Sequence, residues 1–261
     1  MEIPDLNPTG HLSHDAHGAS PVMRHSDTGE EIHPPPDLLP VLESAARLQE
    51  VVPDAVLVGG TVSAAYAGHR ISFDHDHVLA LQEQYEAVLE AVEATDGWAT
   101  SVRASAPPMT IMGKLGGIEA GLRQLRRTVP LQTVVVELPG GQHIRIPTIA
   151  EALRVKVYLI VQRNQVRDYL DVAALTDRIG VPQAARILSD IDGFYADRSG
   201  DDESVVSTLV PRLARPEPRD RQTLAELARY KGLIPRWQKW SETQRVCRDL
   251  AQAMLGGGDD V

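Results

Sequence analysis

Ala55-Val56-Leu57-Val58-Gly59-Gly60-Thr61, followed after Arg70-Ile71-Ser72-Phe73 by Asp74-His75-Asp76-His77, is the stretch that decides the fold. The apolar run 55–58 reads as a buried strand stopping at a glycine turn. Residues 61–67 are small and helix-tolerant, and Gly68 ends them. Residues 71–81 then read as a second strand. Side chains alternate along a strand, so Asp74 and Asp76 share one face while His75 and His77 take the other. Two neighbouring carboxylates repel unless a hard cation sits between them. Magnesium suits the place, because it takes one or two carboxylates and completes its shell with water and substrate phosphate oxygens. The backbone N–H groups of Gly59, Gly60 and Thr61, opening a helix, offer the complementary anion site. Glycine is expected there because a Cβ would block close approach. Either half alone is common, as a plain turn or a solvated strand end. Together they form both parts of a metal–triphosphate grip.

Working outward, residues 37–51 read as a helix with Asp37 as N-cap and apolar positions Leu38, Leu39, Val41, Leu42, Ala45, Leu48 and Val51. Residues 1–36, polar and closing on Pro34-Pro35-Pro36, read as a disordered acidic tail. Its His11, His14 and His17 recur every third residue, either as a chelating set or as part of a solvated tail. Downstream come a helix over 83–94 and strands near 98–105, 110–112, 133–138 and 143–146. The last two are joined through Pro139-Gly140-Gly141-Gln142. Helices follow at 149–162, 166–179, 182–192, 222–231 and 240–254, with a frayed end over 255–261. The expectation is an α+β fold, with a mixed sheet in a 37–147 domain and a helical domain over 148–254.

The chain of 261 residues is 43% hydrophobic and 4% aromatic, an ordinary aliphatic globular composition. No apolar run approaches the ~20 residues that span a bilayer. The N-terminal residues lack the basic start and apolar middle of a signal peptide. A single cysteine, Cys247, excludes an internal disulfide. These features make a cytoplasmic protein with no membrane partner the expectation. The net charge of −10 is unevenly spread: residues 1–50 hold nine acids against two arginines, whereas 211–251 hold ten Lys or Arg against five acids. Arg103, Lys114, Arg123, Arg126 and Arg127 form a second basic stretch opposed by Glu119. Local basic faces suit a polyanionic substrate, and equally suit solvated helices. Tyr230, Trp237 and Trp240 lie among the later cations, either to stack on nucleic-acid bases or to pack a core.

Val58-Gly59-Gly60, thirteen residues and then Asp74-His75-Asp76-His77 resemble the signature of the DNA polymerase beta-like nucleotidyltransferase superfamily. More narrowly, Gly59-Gly60-Thr61 with Arg70-Ile71-Ser72-Phe73-Asp74-His75-Asp76 resembles the AbiEii/MenT group of toxins. A second block fits that group: Arg154-Val155-Lys156-Val157, then Arg163-Asn164-Gln165-Val166-Arg167-Asp168-Tyr169-Leu170-Asp171. The resemblance covers roughly residues 40–180. It departs where apolar residues usually follow each aspartate, since His75 and His77 stand there, either as buried imidazoles or as metal-site contacts.

The resemblance implies that Asp74 and Asp76 bind magnesium, that Lys156 holds the triphosphate, and that Asp168 or Asp171 completes the active site. Gly59, Gly60, Thr61, Arg70 and Ser72 would surround the nucleotide. Glu137 stands either as a third carboxylate or as a surface residue. Ser72 would be a place where a partner kinase could add a silencing phosphate. The implied reaction moves a nucleoside monophosphate from a nucleoside triphosphate to a hydroxyl, with a tRNA 3′ end as acceptor and a cognate antitoxin as partner. Two rivals stand beside it. One is a non-catalytic nucleic-acid or protein binding module on the same fold. The other is a His–Asp metal phosphohydrolase built on His69, His75 and Asp76.

Overall fold

The computed structural model describes residues 20–196 and 204–256. His11, His14 and His17 lie outside them, as do residues 257–261. The first elements are strands β1 (Met23–His25) and β2 (Glu31–Ile32), inside the segment expected to be a tail. They form because β1 finds a distant partner in β8 (Thr133–Glu137): Arg24 pairs with Glu137 and His25 with Val136. That pairing buries Met23 and Ile32, whose isolated apolar side chains leave no periodic pattern.

A 3-10 turn, Pro36–Leu38, leads into α1 (Leu39–Val51), so Asp37 lies inside the turn and caps nothing. Proline at the start supplies the helical φ instead. Next come β3 (Val56–Val58), α2 (Gly59–Ala67), β4 (Asp74–Leu79) and α3 (Leu81–Glu93). Gly68 ends α2 at φ 60°, the left-handed conformation in which glycine pays no Cβ penalty. Strands β5 (Trp98–Thr100), β6 (Thr110–Leu115), β7 (Ile118–Gln124), β8 (Thr133–Glu137) and β9 (His143–Pro147) follow. β7 has no counterpart in the sequence reading. Ile118, Ala120 and Leu122 alternate with Glu119, Gly121 and Arg123 as a strand requires, and the Gly116-Gly117 turn joins it to β6 as a hairpin.

The helical part comprises α4 (Ile149–Arg163), α5 (Val166–Ile179), α6 (Val181–Leu188), α7 (Ile191–Phe194), α8 (Val205–Ala214), a 3-10 segment Arg221–Arg229, and α9 (Trp240–Gly256). The expected helix over 222–231 is thus a 3-10 segment, and α8, with Pro211 inside it, was not anticipated.

The fold is α+β. One sheet runs β2-β1-β8-β9, and the other is mixed, in the order β3-β4-β7-β6-β5. β4 lies antiparallel to β3 and parallel to β7. Apolar residues from Met23 to Ala251 form one large core that joins the smaller sheet, α1, α2 and the later helices. A second cluster packs α3 against the mixed sheet.

Candidate functional site

The site is set by register. β3 pairs Val58 with Asp76, which brings the turn into α2 directly over the second carboxylate. Gly59 sits there at φ 83°, and a Cβ on it would stand 3.9 Å from Asp76 Oδ2. The positive φ calls for glycine, whereas 3.9 Å is ordinary van der Waals contact. β4 alternates as its sequence implies: His75, His77 and Leu79 are buried, while Asp74, Asp76 and Val78 are half-buried on the other face. That face opens on a cavity of about 820 Å³, whose lining includes Gly59, Gly60, Arg70, Ser72, Asp74 and Asp76. Lys156 reaches the same cavity from α4. Thr61 stays below the lining and donates its hydroxyl to the Asp74 carbonyl.

Asp74 Oδ1 accepts the Ser72 hydroxyl at 3.1 Å and lies 3.7 Å from Lys231 Nζ. Burial alone would raise this carboxyl, but Lys231, Ser72 and Arg70 hold it below its ordinary value. Asp76 Oδ1 accepts Arg123 Nε at 3.1 Å. Across β7, Gly121 faces Asp76, and a Cβ there would come to 2.5 Å of Oδ1. No group of three or more His, Cys, Asp or Glu suited to a metal occurs among the described residues. A two-carboxylate donor set fits magnesium bound together with a triphosphate, because the phosphate oxygens and water fill the rest of the shell. It fits poorly a metal held by protein ligands alone.

Beneath α2 lies a buried charge cluster. Asp171 is wholly enclosed and accepts Arg70 Nε at 2.8 Å and Nη2 at 3.0 Å, lies 2.7 Å from Lys156 Nζ, and meets His69 Nε2 at 2.7 Å. Burial would raise its carboxyl, yet Arg70, Lys156 and His69 hold it well below the carboxylate range. Burial drives His69 the other way, toward the neutral form. Two cations therefore share one carboxylate, and a surplus positive charge remains behind the helix N-terminus. The second glycine serves this cluster: a Cβ on Gly60 would stand 2.5 Å from Arg70 Nη2. Close approach to phosphate is thus not its main constraint.

Neither Asp168 nor Asp171 lines the cavity. Asp168 is buried and clamped by Arg163 through bonds of 2.7 and 2.6 Å, and Arg163 is the partner that reaches the lining. Glu137 is exposed in the smaller sheet opposite Arg24 and is remote from the lining. The third carboxylate at the cavity is Glu119, in register with Asp74 on β7. Ser72 is buried, so its hydroxyl is presented to Asp74 rather than to solvent. His75 and His77 turn their rings into the core, where His75 Nε2 meets Ser44 Oγ at 3.1 Å. Their side chains therefore stand on the opposite face of β4 from the carboxylates, and no His–Asp metal set is assembled there.

No family model matches the chain. The heme uptake protein MmpL11 of Mycobacterium tuberculosis is 31% identical over 242 residues, 90% of this chain and 24% of that protein. The mycolic acid-containing lipids exporter MmpL11 of Mycolicibacterium smegmatis is 36% identical over 131 residues, 50% of this chain and 13% of that one. The chain spans about a quarter of the length of the first of these curated relatives. Among solved structures, a candidate nucleotidyltransferase from H. pylori aligns with TM-score 0.46 and 15% identity over 85% of this chain and 94% of that one. An antigenic nucleotidyltransferase-like protein from Paracoccidioides brasiliensis aligns with TM-score 0.42 and 15% identity, over 67% and 91%. No helix among the described residues of this chain is long and apolar enough to cross a membrane.

Glu119, Gly121 and Lys231 are among the cavity residues that the sequence reading did not assign to the site. Glu119 and Gly121 lie on β7, and only the parallel register with β4 brings them beside the aspartates. Lys231 comes from the far end of the chain with no local signal beyond a basic neighbourhood. Of the second basic stretch, Arg123, Arg126 and Arg127 all line the cavity, although Arg127 is engaged by buried Glu151 at 2.7 Å. The tryptophans are core residues instead: Trp237 is buried, and Trp240 packs edge-on to Tyr169 at 6.0 Å. Tyr230 alone of that group reaches the cavity.

Proposed function

We propose that this chain is a magnesium-dependent nucleotidyltransferase that moves a nucleoside monophosphate from a nucleoside triphosphate to a hydroxyl acceptor. One observation carries the reading: Asp74 and Asp76 share a face in a cation-lined cavity, with the N-terminus of a helix turned over them. Asp74 and Asp76 would hold the metal, and the N–H groups at Gly59 and Gly60 would receive phosphate oxygens, with Thr61 beneath them fixing the Asp74 backbone. Magnesium bound there would neutralise the triphosphate and the charge that develops on the departing pyrophosphate. Lys156 and Arg70, anchored by buried Asp171, contribute fixed positive charge that needs no reorganisation during the reaction. Asp168 would act through Arg163, by aiming it at the cavity.

The resemblance to the AbiEii/MenT group supports a tRNA 3′ end as acceptor and a cognate antitoxin as partner. The test is incubation with each labelled triphosphate, magnesium and total tRNA, alongside Asp74→Ala and Asp76→Ala. Label on tRNA, lost in both variants, is the expected result. Absence of transfer to RNA, protein or small hydroxyl compounds would remove the enzyme reading.

A second reading is favoured by the 242-residue match to MmpL11. The chain would then be a binding module of a transport assembly, with the cavity taking a phosphorylated ligand without turnover. Ligand binding that persists in Asp74→Ala, together with no turnover in the parent, would select it.

A further inference from the structure

Asp74 and Asp76 each already have a cation on them, and the two cations come from different parts of the chain. Lys231 Nζ stands 3.7 Å from Asp74 Oδ1, and Arg123 Nε stands 3.1 Å from Asp76 Oδ1. Both cations line the cavity. They differ sharply from Arg70 and Lys156. Those side chains are 3% exposed and locked on buried Asp171, whereas Lys231 and Arg123 are 35% and 45% exposed. Half-exposed ion pairs are weak, so a divalent ion can displace such a cation from its carboxylate.

The backbones that carry the two cations are nevertheless fixed. Lys231 holds φ 42°, a left-handed conformation uncommon outside glycine, and its carbonyl accepts the Ile71 N–H at 2.8 Å. Ile234 N–H donates to the His69 carbonyl at 3.0 Å, and Gly232 packs on Ile71 so closely that a Cβ would stand 2.7 Å from Cδ1. The turn is thereby clamped onto the segment that leads into Asp74. Arg123 is held by the ladder opposite Val78, with its Nη2 on Met112 Sδ at 3.4 Å. The side chains can swing while their roots stay in place.

We propose that Lys231 and Arg123 are placeholder cations: they occupy Asp74 and Asp76 when no metal is present, and become ligands of the triphosphate when the metal–nucleotide complex takes the carboxylates. This rests on the metal–nucleotide reading of the cavity. It accounts for two half-buried carboxylates lying side by side on one face, since each carries its own counter-charge. It also disfavours metal binding without nucleotide, because the metal must then displace two cations that gain no new partner.

The two roles have opposite signs in a binding experiment. Manganese binding followed by electron paramagnetic resonance, first alone and then with the α,β-methylene analogues of the four common triphosphates, would be compared across the parent, Lys231→Met, Arg123→Met and the double variant. Without nucleotide, each single variant is expected to bind manganese about three- to fivefold more tightly, because a competing cation is gone. With an analogue present, the same variants are expected to bind the complex about tenfold more weakly, because a charge-assisted phosphate bond is lost. Lys231→Arg and Arg123→Lys should return both values toward the parent. If both affinities move in one direction, or neither moves, the placeholder role is wrong while the nucleotide reading stands. A parent that binds neither manganese nor any analogue overturns both.

Discussion

Lys156 Nζ lies 2.7 Å from Asp171 Oδ2, and both side chains are buried. The lysine and the aspartate of the second sequence block therefore work as one unit, in which the aspartate holds the lysine and only the lysine reaches the cavity. The two should fail differently. Asp171→Asn strips the carboxylate from Arg70 and Lys156 together and leaves buried cations unpaired. A stability loss of about 3–5 kcal/mol in urea unfolding is expected. Lys156→Met leaves Asp171 its paired bonds to Arg70, so the fold should be less affected. Nucleotide transfer should instead drop by about a hundredfold, the usual cost of one preorganised charge-stabilising donor. Equal stability losses in the two variants would contradict this division.

Gly121 leaves the space that the Asp76 carboxylate occupies. A methyl there would come within 2.5 Å of Asp76 Oδ1 and 2.9 Å of Met112 Sδ. Gly121→Ala should displace the carboxylate and lower metal–nucleotide affinity at a stability cost of about 1–3 kcal/mol. Gly140→Ala, where a Cβ meets nothing within 4 Å, is the matched control and should leave both unchanged. Calorimetric titration of the two proteins with manganese and a triphosphate analogue makes the comparison.

Acid should destabilise the protein through the core face of β4. Burial lowers the His75 pKa to about 4, and His77, also through burial, falls well below 6.5. Both are neutral in the folded protein and gain protons on unfolding below about pH 6.5, so stability is full above that value and is lost as pH falls toward 4. The linkage slope is about 1.4 kcal/mol per pH unit for each histidine. Denaturation curves at pH 7.5 and pH 5 should show the loss. His77→Leu, which keeps the core position apolar, should flatten the slope by about one proton. An unchanged slope would show that His77 does not titrate on unfolding.

Ser72 is buried and donates to Asp74. Ser72→Ala removes one hydrogen bond and should cost transfer activity only several-fold. Ser72→Glu places a second negative charge against a carboxylate meant for a metal and should abolish activity. A Ser72→Glu enzyme that transfers nucleotide at the parental rate would rule out silencing by charge at this position.

Much of the architecture was legible because local physics decides it. The run Val56–Val58, the glycine turn and the alternation of Asp74, His75, Asp76 and His77 are short-range features, and the structure keeps them. The Pro139–Gln142 hairpin and the helices after Pro147 are equally local. β1 was hidden because its strand state comes from pairing with distant β8, and β2 only folds back on β1, whereas β7 carries the alternation and the Gly116-Gly117 turn of a hairpin with β6 and was legible locally.

The sequence by itself determined which carboxylates share a face and which turn precedes them, because strand alternation and glycine backbone freedom act over a few residues. Only the tertiary structure decided who their neighbours are. The parallel register of β4 with β7 put Gly121 beneath Asp76, and a clamped turn from the C-terminal region brought Lys231 to Asp74. It also enclosed Asp171 between Arg70 and Lys156, turning an expected cavity residue into the anchor of two cations. Burial and long-range pairing depend on how the whole chain packs, and no spacing within one segment encodes them.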